Sequence, residues 1–381
     1  MSRIGIFFAE GYEEVEALTV VDLARRAGLE IDMISVTGGR EVTGSHGITV
    51  KMDKVFSEVD FGGLDMLVLP GGLPGTKNLE NCQELMEKLD IKSYETVTEG
   101  LSGDRKFHVE TSDGGHFLLR LSGGTEYERK KTTFDRMRKA DSIGIPMCRP
   151  VAFGSCDDGR CVYQLLTWCE GRNGEKLLPF LPETKQYNIG IKAGEILRTI
   201  HTIPAPELEP WQKRYFNEND CRIKAFSDCG IRIDGSDILL AFVENNRHLL
   251  NGRPQCLQHG DYHVGNLMIT DAGEVSVIDW ELLDFDNYAD PWKEFGSIGL
   301  TDVHPHFVTG LIRGYFGGEP PLQFWKLLAY YLAVGAVIMV PWAFYLQKDE
   351  LTYAVKHVKD VLRWFDNFRR DVPEWFCPER L

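Results

Sequence analysis

His259-Gly260-Asp261-Tyr262-His263-Val264-Gly265-Asn266, followed by Ile278-Asp279-Trp280, is the stretch on which the reading of this 381-residue chain turns. Leu267 to Thr270 is predicted as a strand, Asp271-Ala272-Gly273-Glu274 as a turn, and Val275 to Ile278 as the return strand. Pairing Thr270 with Val275 sets Leu267 opposite Ile278 and Asn266 opposite Asp279, about 5 Å apart across an antiparallel ladder. An amide oxygen and a carboxylate then meet at the hairpin mouth. Hard oxygen ligands of this kind suit Mg2+, which keeps its other positions for water and phosphate oxygens. Asp261 lies on a loop entering the same mouth, where a carboxylate can orient a hydroxyl and accept its proton. The plainer alternative is a hairpin capped by solvated polar side chains.

Working outward, residues 94–122 read as three antiparallel strands, Tyr127 to Ala140 as a basic helix, and 149–154 and 161–167 as two more strands. Helices dominate from Thr184 onward, apart from 257–280; Ile189, Ala193, Ile196, Leu197 and Ile200 recur at helical spacing. A small β-rich lobe is thus followed by a larger helical lobe. Between two of the early strands lies Glu99-Gly100-Leu101-Ser102-Gly103-Asp104-Arg105-Lys106, where glycines let backbone N–H groups approach phosphates, although an ordinary hairpin turn is also served. On the strand from His116 to Leu121, Leu118 and Arg120 share the face opposite Phe117, Leu119 and Leu121. Arg120 can therefore enter a cleft and meet phosphates, or remain an exposed strand arginine.

The 259–280 constellation resembles the catalytic loop and metal-binding segment of the aminoglycoside phosphotransferase family, which shares the protein-kinase-like fold. The resemblance covers about residues 91–381. It implies a catalytic role for Asp261 and metal ligation by Asn266 and Asp279. It makes His259 a structural hydrogen-bonder, and His263 either a loop support or a substrate-side contact. Gly100, Ser102, Gly103 and Arg120 would hold the nucleotide phosphates. Leu165 to Gly171 would be the inter-lobe hinge, with Trp168 stacking on the base or simply packing. The position expected for an acidic partner of Arg120 holds Thr133, while the helix offers Glu126, Glu128 and Asp135. The implied cofactors are Mg2+ and ATP, with GTP as the alternative nucleotide. Glu281, Asp284, Asp286 and Asp290, with Glu294 beyond them, could grip a cationic acceptor, or form a solvated face with a structural Asp290-Pro291 turn. The expected activity is γ-phosphoryl transfer to a hydroxyl of a small molecule, plausibly aminoglycoside-like. The rival is a non-catalytic nucleotide-binding or interaction protein, a pseudokinase.

Residues 1–89 have a different grammar. Ile4 to Phe8, Ile31 to Val36 and Asp65 to Leu69 read as buried strands. A helix with Val15, Leu18, Val21, Leu23 and Ala24 turned to the core separates the first two, and another runs from Thr76 to Leu89. Alternation of this kind predicts a doubly wound parallel sheet. AEGYEEVEALTVVDLARRAG and DMLVLPGGLPGTKNL resemble the amino-terminal half of the ThiJ/PfpI superfamily. In that family a catalytic Cys follows on a strand-to-helix turn near a Glu corresponding to Glu16; here that turn does not arrive, and Cys82 is expected inside a helix as packing. The expected fold is therefore a truncated α/β half-domain (1–89), then an α+β two-lobe kinase-like domain with a β-rich lobe (90–168) and a helical lobe (169–381). The half-domain's last strand would leave an unpaired edge, and a homodimer through this segment is one consequence.

Composition narrows the rest. Fifty-seven acidic against 42 basic residues leave a formal charge of −15. That argues against bulk nucleic-acid binding through a basic surface. Nine cysteines without a CxxC pair suggest reduced thiols and a cytoplasmic setting. No signal peptide is expected, because acidic residues follow the first apolar run at once. Leu327 to Leu346 lacks charge and is long enough to span a bilayer, but Tyr330, Tyr331, Gly335 and Pro341 suggest a core helix broken near Pro341, with no membrane partner.

Overall fold

The computed structural model describes residues 3–88, 91–98, 103–156, 159–280, 288–300 and 303–377. Its chain falls into two compact units, Met1–Leu119 and Arg120–Leu381.

In the first unit, β1 (Arg3–Phe8) leads through α1 (Glu14–Arg26) to β2 (Glu30–Ser35). A separate hairpin, β3 (Glu41–Thr43) and β4 (Thr49–Lys51), follows, then β5 (Lys54–Val55) and β6 (Met66–Val68). The parallel sheet has the order β5-β2-β1-β6. From Ile4 onward β1 is apolar because both its faces are covered: Ile4, Ile6 and Phe8 join Ala17, Val21 and Ala24 of α1, while Phe7 joins Ile34, Leu79 and Leu85. Two expectations change here. Val15 and Leu23 of α1 are 71 % and 61 % exposed, and the buried stripe is Glu14, Ala17, Val21 and Ala24. Glu14 can go inside because its carboxylate accepts hydrogen bonds from His46 N (2.7 Å) and Ser45 Oγ (3.2 Å) and lies 2.8 Å from His46 Nδ1. The single helix expected over 76–89 is two, α2 (Gly75–Glu80) and α3 (Gln83–Lys88), interrupted where Asn81 caps the first. Cys82 lies in that interruption, packed against the Phe7 layer.

A hairpin of β7 (Ile91–Val97) and β8 (Arg105–Thr111) closes this unit, and the division between the units falls inside β9 (His116–Gly123). The second unit opens with α4 (Tyr127–Asp141) and the antiparallel pair β10 (Pro150–Cys156) and β11 (Cys161–Thr167). After β12 (Arg172–Asn173) and α5 (Gly174–Leu177) the helical part begins: α6 (Glu183–Ile200), α7 (Trp211–Asp228) and α8 (Ser236–Asn245). Four short strands, β13 (Cys256–Leu257), β14 (Leu267–Ile269), β15 (Val275–Val277) and β16 (Tyr288–Ala289), interrupt it. Then come α9 (Pro305–Phe316), α10 (Leu322–Leu346) and α11 (Leu351–Trp364).

α6 and α9 approach backbone to backbone. A Cβ on Gly190 or Gly194 would fall 2.1 or 2.0 Å from the carbonyl oxygens of Phe307 and Leu311, and one on Gly310 or Gly314 would meet Tyr187 and Ile191 equally closely. α10 is long and apolar enough to cross a membrane by length and composition, yet most of its apolar window is buried in the protein. Leu327, Leu328, Tyr330, Leu332 and Val334 are fully or almost fully covered by neighbouring chain. The expected break at Pro341 does not occur: α10 runs through it to Leu346. Packing of buried residues on both sides of the proline outweighs the lost hydrogen bond.

Candidate active site

The loop between β13 and β14 gathers three of the expected residues. Asn266 Nδ2 donates to Asp261 Oδ2 (3.0 Å) and to Asp261 O (2.9 Å). This orientation commits the amide nitrogen to Asp261 and keeps the amide oxygen for a cation. His263 Nδ1 accepts the Gly265 N–H (3.1 Å), and its Nε2 lies 3.2 Å from Asn266 Nδ2 and 3.4 Å from Asp261 Oδ2. His263 thus packs against both Asp261 and Asn266.

The hairpin register differs by one residue from the expected one. Ile269 pairs with Val275 and Leu267 with Val277, so Asn266 stands opposite Ile278, whose N–H donates to Asn266 O (3.0 Å). The cause is a tighter turn. Gly273, at φ +75°, donates to Thr270 O and leaves a three-residue loop. Asp279 therefore lies one step beyond Asn266's partner, and its φ of +57° turns the chain out of the strand. Asp is among the few non-glycine residues that adopt this left-handed conformation readily.

Arg120 is buried, as the cleft reading expects, and its Nη1 lies 3.6 Å from Asp279 Oδ1. Of the acids the sequence offers near α4, Glu126 pairs with Arg129 (2.6 Å) and Asp135 with Lys131 (2.5 Å). Thr133 is buried on the same helix, beside the buried cations Lys130 and Arg136. Asp279 Oδ1 is a buried oxygen with no hydrogen-bond donor. An orphan carboxylate oxygen and an amide oxygen held by Asp261 form a hard donor set of the kind Mg2+ takes. The residues present fit the metal.

His259 is fully buried beneath the loop. Its Nε2–H donates to Ile278 O (3.1 Å), and its Nδ1 accepts the Asp261 N–H (3.3 Å). Burial holds its pKa below the ordinary histidine value, which keeps this neutral donor–acceptor arrangement. Its ring meets Trp280 edge to face at 4.8 Å, and the Arg136 guanidinium lies over Trp280 at 5.9 Å. Glu294 was expected in an acidic substrate patch. It is instead buried under the loop, accepting His259 N–H and Gly260 N–H, each at 2.8 Å. Burial pushes its carboxyl upward, but the His201 imidazole 3.6 Å away and the Gly260 N–H more than offset this, and its pKa lies below the usual value. Sequence reasoning missed His201 altogether: it precedes His259 by 58 residues with no local pattern to mark it.

Asp290 is also removed from the substrate patch. It is fully buried, holds Arg253 through two bonds (2.7 and 2.9 Å) and accepts from Tyr331 OH (2.8 Å) and Trp292 N (2.9 Å). The other proposed acids, Glu281, Asp284 and Asp286, lie outside the described residues, as do Gly100 and Ser102 of the glycine loop. Gly103 is exposed in its own unit. Trp168 is half-buried in the hinge after β11. There Gly171, at φ +120°, passes so close to Ile269 that a Cβ would lie 2.7 Å from its carbonyl carbon.

Residues 93–325 match the phosphotransferase enzyme family, APH. The chain belongs to that family. Ahead of this phosphotransferase domain, residues 2–93 match the DJ-1/PfpI family. Protein DJ-1 homolog B of Arabidopsis thaliana is 38 % identical over 94 residues, 25 % of this chain and 21 % of that protein. The phosphotransferase thus spans about a fifth of that relative's length. Two solved structures share the kinase-like fold. A thermostable mutant of the aminoglycoside phosphotransferase APH(4)-Ia aligns with a TM-score of 0.53 at 16 % identity, covering 73 % of this chain and 97 % of that one. The amicoumacin kinase hAmiN, solved in complex with AMP-PNP, Ca2+ and Ami, aligns with a TM-score of 0.51 at 13 % identity, covering 78 % of this chain and 96 % of that one. By family, residues 93–325 are a phosphotransferase domain.

Proposed function

We propose that this phosphotransferase moves the γ-phosphoryl group of ATP to a hydroxyl of a small cationic alcohol, with Asp261 as the group that orients and deprotonates the acceptor. The observation that carries the reading is the Asp261–His263–Asn266 cluster. A carboxylate fixed by an amide, with an imidazole packed beside both, presents one oxygen to a hydroxyl in a constant position. Asn266 and Asp279 would hold Mg2+, and the buried Arg120 guanidinium would neutralise phosphate charge beside Asp279. When bound, the metal supplies positive charge between the phosphate oxygens. His259 and Glu294 hold the loop backbone so that Asp261 does not shift as charge develops. A cationic acceptor is favoured by the acidic chain and by Glu281, Asp284 and Asp286; Asp290 no longer contributes. The site-residue roles, the acceptor class and the choice of ATP all belong to this reading.

Purified full-length protein with Mg2+–ATP should release ADP on addition of one member of a panel of aminoglycosides, choline, homoserine and sugars. Asp261→Asn should bind nucleotide about as well and lose turnover by about three orders of magnitude. Undiminished turnover in the variant would remove Asp261 from its role. For residues 2–93 we read a half-sheet that pairs two copies along β6, whose outer edge has no partner strand among the described residues. Sedimentation of the full chain at increasing concentration checks it.

A further inference from the structure

Two thiols that the phosphoryl transfer does not use meet at the hinge. Cys148 is buried just ahead of β10, and Cys169 follows Trp168 directly. Thr167 N donates to Arg149 O (2.9 Å) and Arg149 N to Thr167 Oγ1 (2.8 Å), which brings both cysteines to the same end of the β10–β11 ladder. The Cys169 thiol interacts with the Cys148 sulfur and with Ser276 of β15. Cys148 in turn lies in the electrostatic field of Arg120 and Asp279. Within the described strands, Cys156 and Cys161 stand directly opposite each other at the far end of the same hairpin.

We propose that Cys148 and Cys169 form a redox modification site, closing to a disulfide under peroxide and switching off the nucleotide site beside them. One thiol reduces hydrogen peroxide to water and becomes a sulfenic acid. The second sulfur displaces that hydroxyl as a second water, leaving one S–S bond. A disulfide places the sulfurs about 2 Å apart, well inside the separation of two hydrogen-bonded thiols. Cys169 must then move toward Cys148, leave Ser276 and drag the hinge backbone with it. Displacement of about 1 Å at a positioning segment is enough to lower turnover about a hundredfold. Cys169 is partly exposed, so a small oxidant has a route in.

The effect on turnover rests on the proposed kinase function and on the nucleotide role that the family resemblance implies for the hinge; bond formation does not. Reduced full-length protein is treated with hydrogen peroxide, digested without reductant and mapped by mass spectrometry, with melting temperature and ADP release followed in parallel. The expected result is a peptide linking residues 148 and 169, a changed melting temperature, and at least a tenfold fall in ADP release, all reversed by dithiothreitol. Cys169→Ser should resist the same treatment. Cys148→Ser serves as the second variant, since a buried serine can fail to fold. Absence of the linked peptide while Cys156 oxidises, or equal inactivation of Cys169→Ser, overturns the proposal. Failure of the reduced protein to release ADP with every acceptor counts against the kinase reading alone, because the linked peptide and the melting shift are scored without turnover.

Discussion

Asp290 and Asp261 are both aspartates near one motif, and burial gives them opposite tasks. Asp290 neutralises Arg253 in the interior, where Arg253 also lies over Trp292 at 3.9 Å. Asp290→Ala would leave that guanidinium buried without its carboxylate. A loss of about 3–5 kcal/mol is expected in urea denaturation, against little change for Asp261→Asn. His357 is a second case where burial decides. Its pKa is held near 4, chiefly by burial, against 6.5 in the unfolded chain. As pH falls below about 6.5 the unfolded chain takes up a proton that the native ring refuses. Stability is therefore full above that pH and declines toward pH 4, by about 3 kcal/mol in all. His357→Gln should flatten that part of the stability curve in denaturation series; an unchanged slope would place the titration elsewhere.

Elements were legible where the pattern was local. β1, the α4 helix, the β10–β11 pair and α6 lie within a residue or two of their expected bounds, because apolar period and turn residues act over short range. The hairpin at the site was also legible, but not its register. One left-handed glycine in the turn sets it, and a slip of one residue changes which side chains face each other. The α6–α9 contact carried a visible signal that was not read: glycines four apart on both helices, Gly190 and Gly194 against Gly310 and Gly314. Gly194→Val should force the helices apart and destabilise the protein by about 3 kcal/mol or more. A melting temperature within a degree of wild type would show that α9 can yield at no cost.

For the whole molecule, the chain joins two matched families, DJ-1/PfpI over 2–93 and the phosphotransferase family over 93–325. Among the described residues, the printed contacts within the Asp261 cluster come from His263, Gly265 and Asn266. A chain beginning at residue 91 should therefore keep acceptor-dependent ADP release within about threefold of the full protein. Complete loss on that deletion would mean that the first segment is needed for folding or for the site.

The sequence by itself marked out the 259–266 loop, the order of elements and the fold of the larger part, since loop spacing and periodicity are properties of neighbouring residues. Tertiary structure alone decided which acids serve the site and which serve the interior. Glu294 and Asp290 read as surface carboxylates, and only folding brings His201, Gly260, Arg253 and Tyr331 to them from distant parts of the chain. The physical reason is that a carboxylate's role is set by its solvation and partners, and these exist only once the chain has closed around it.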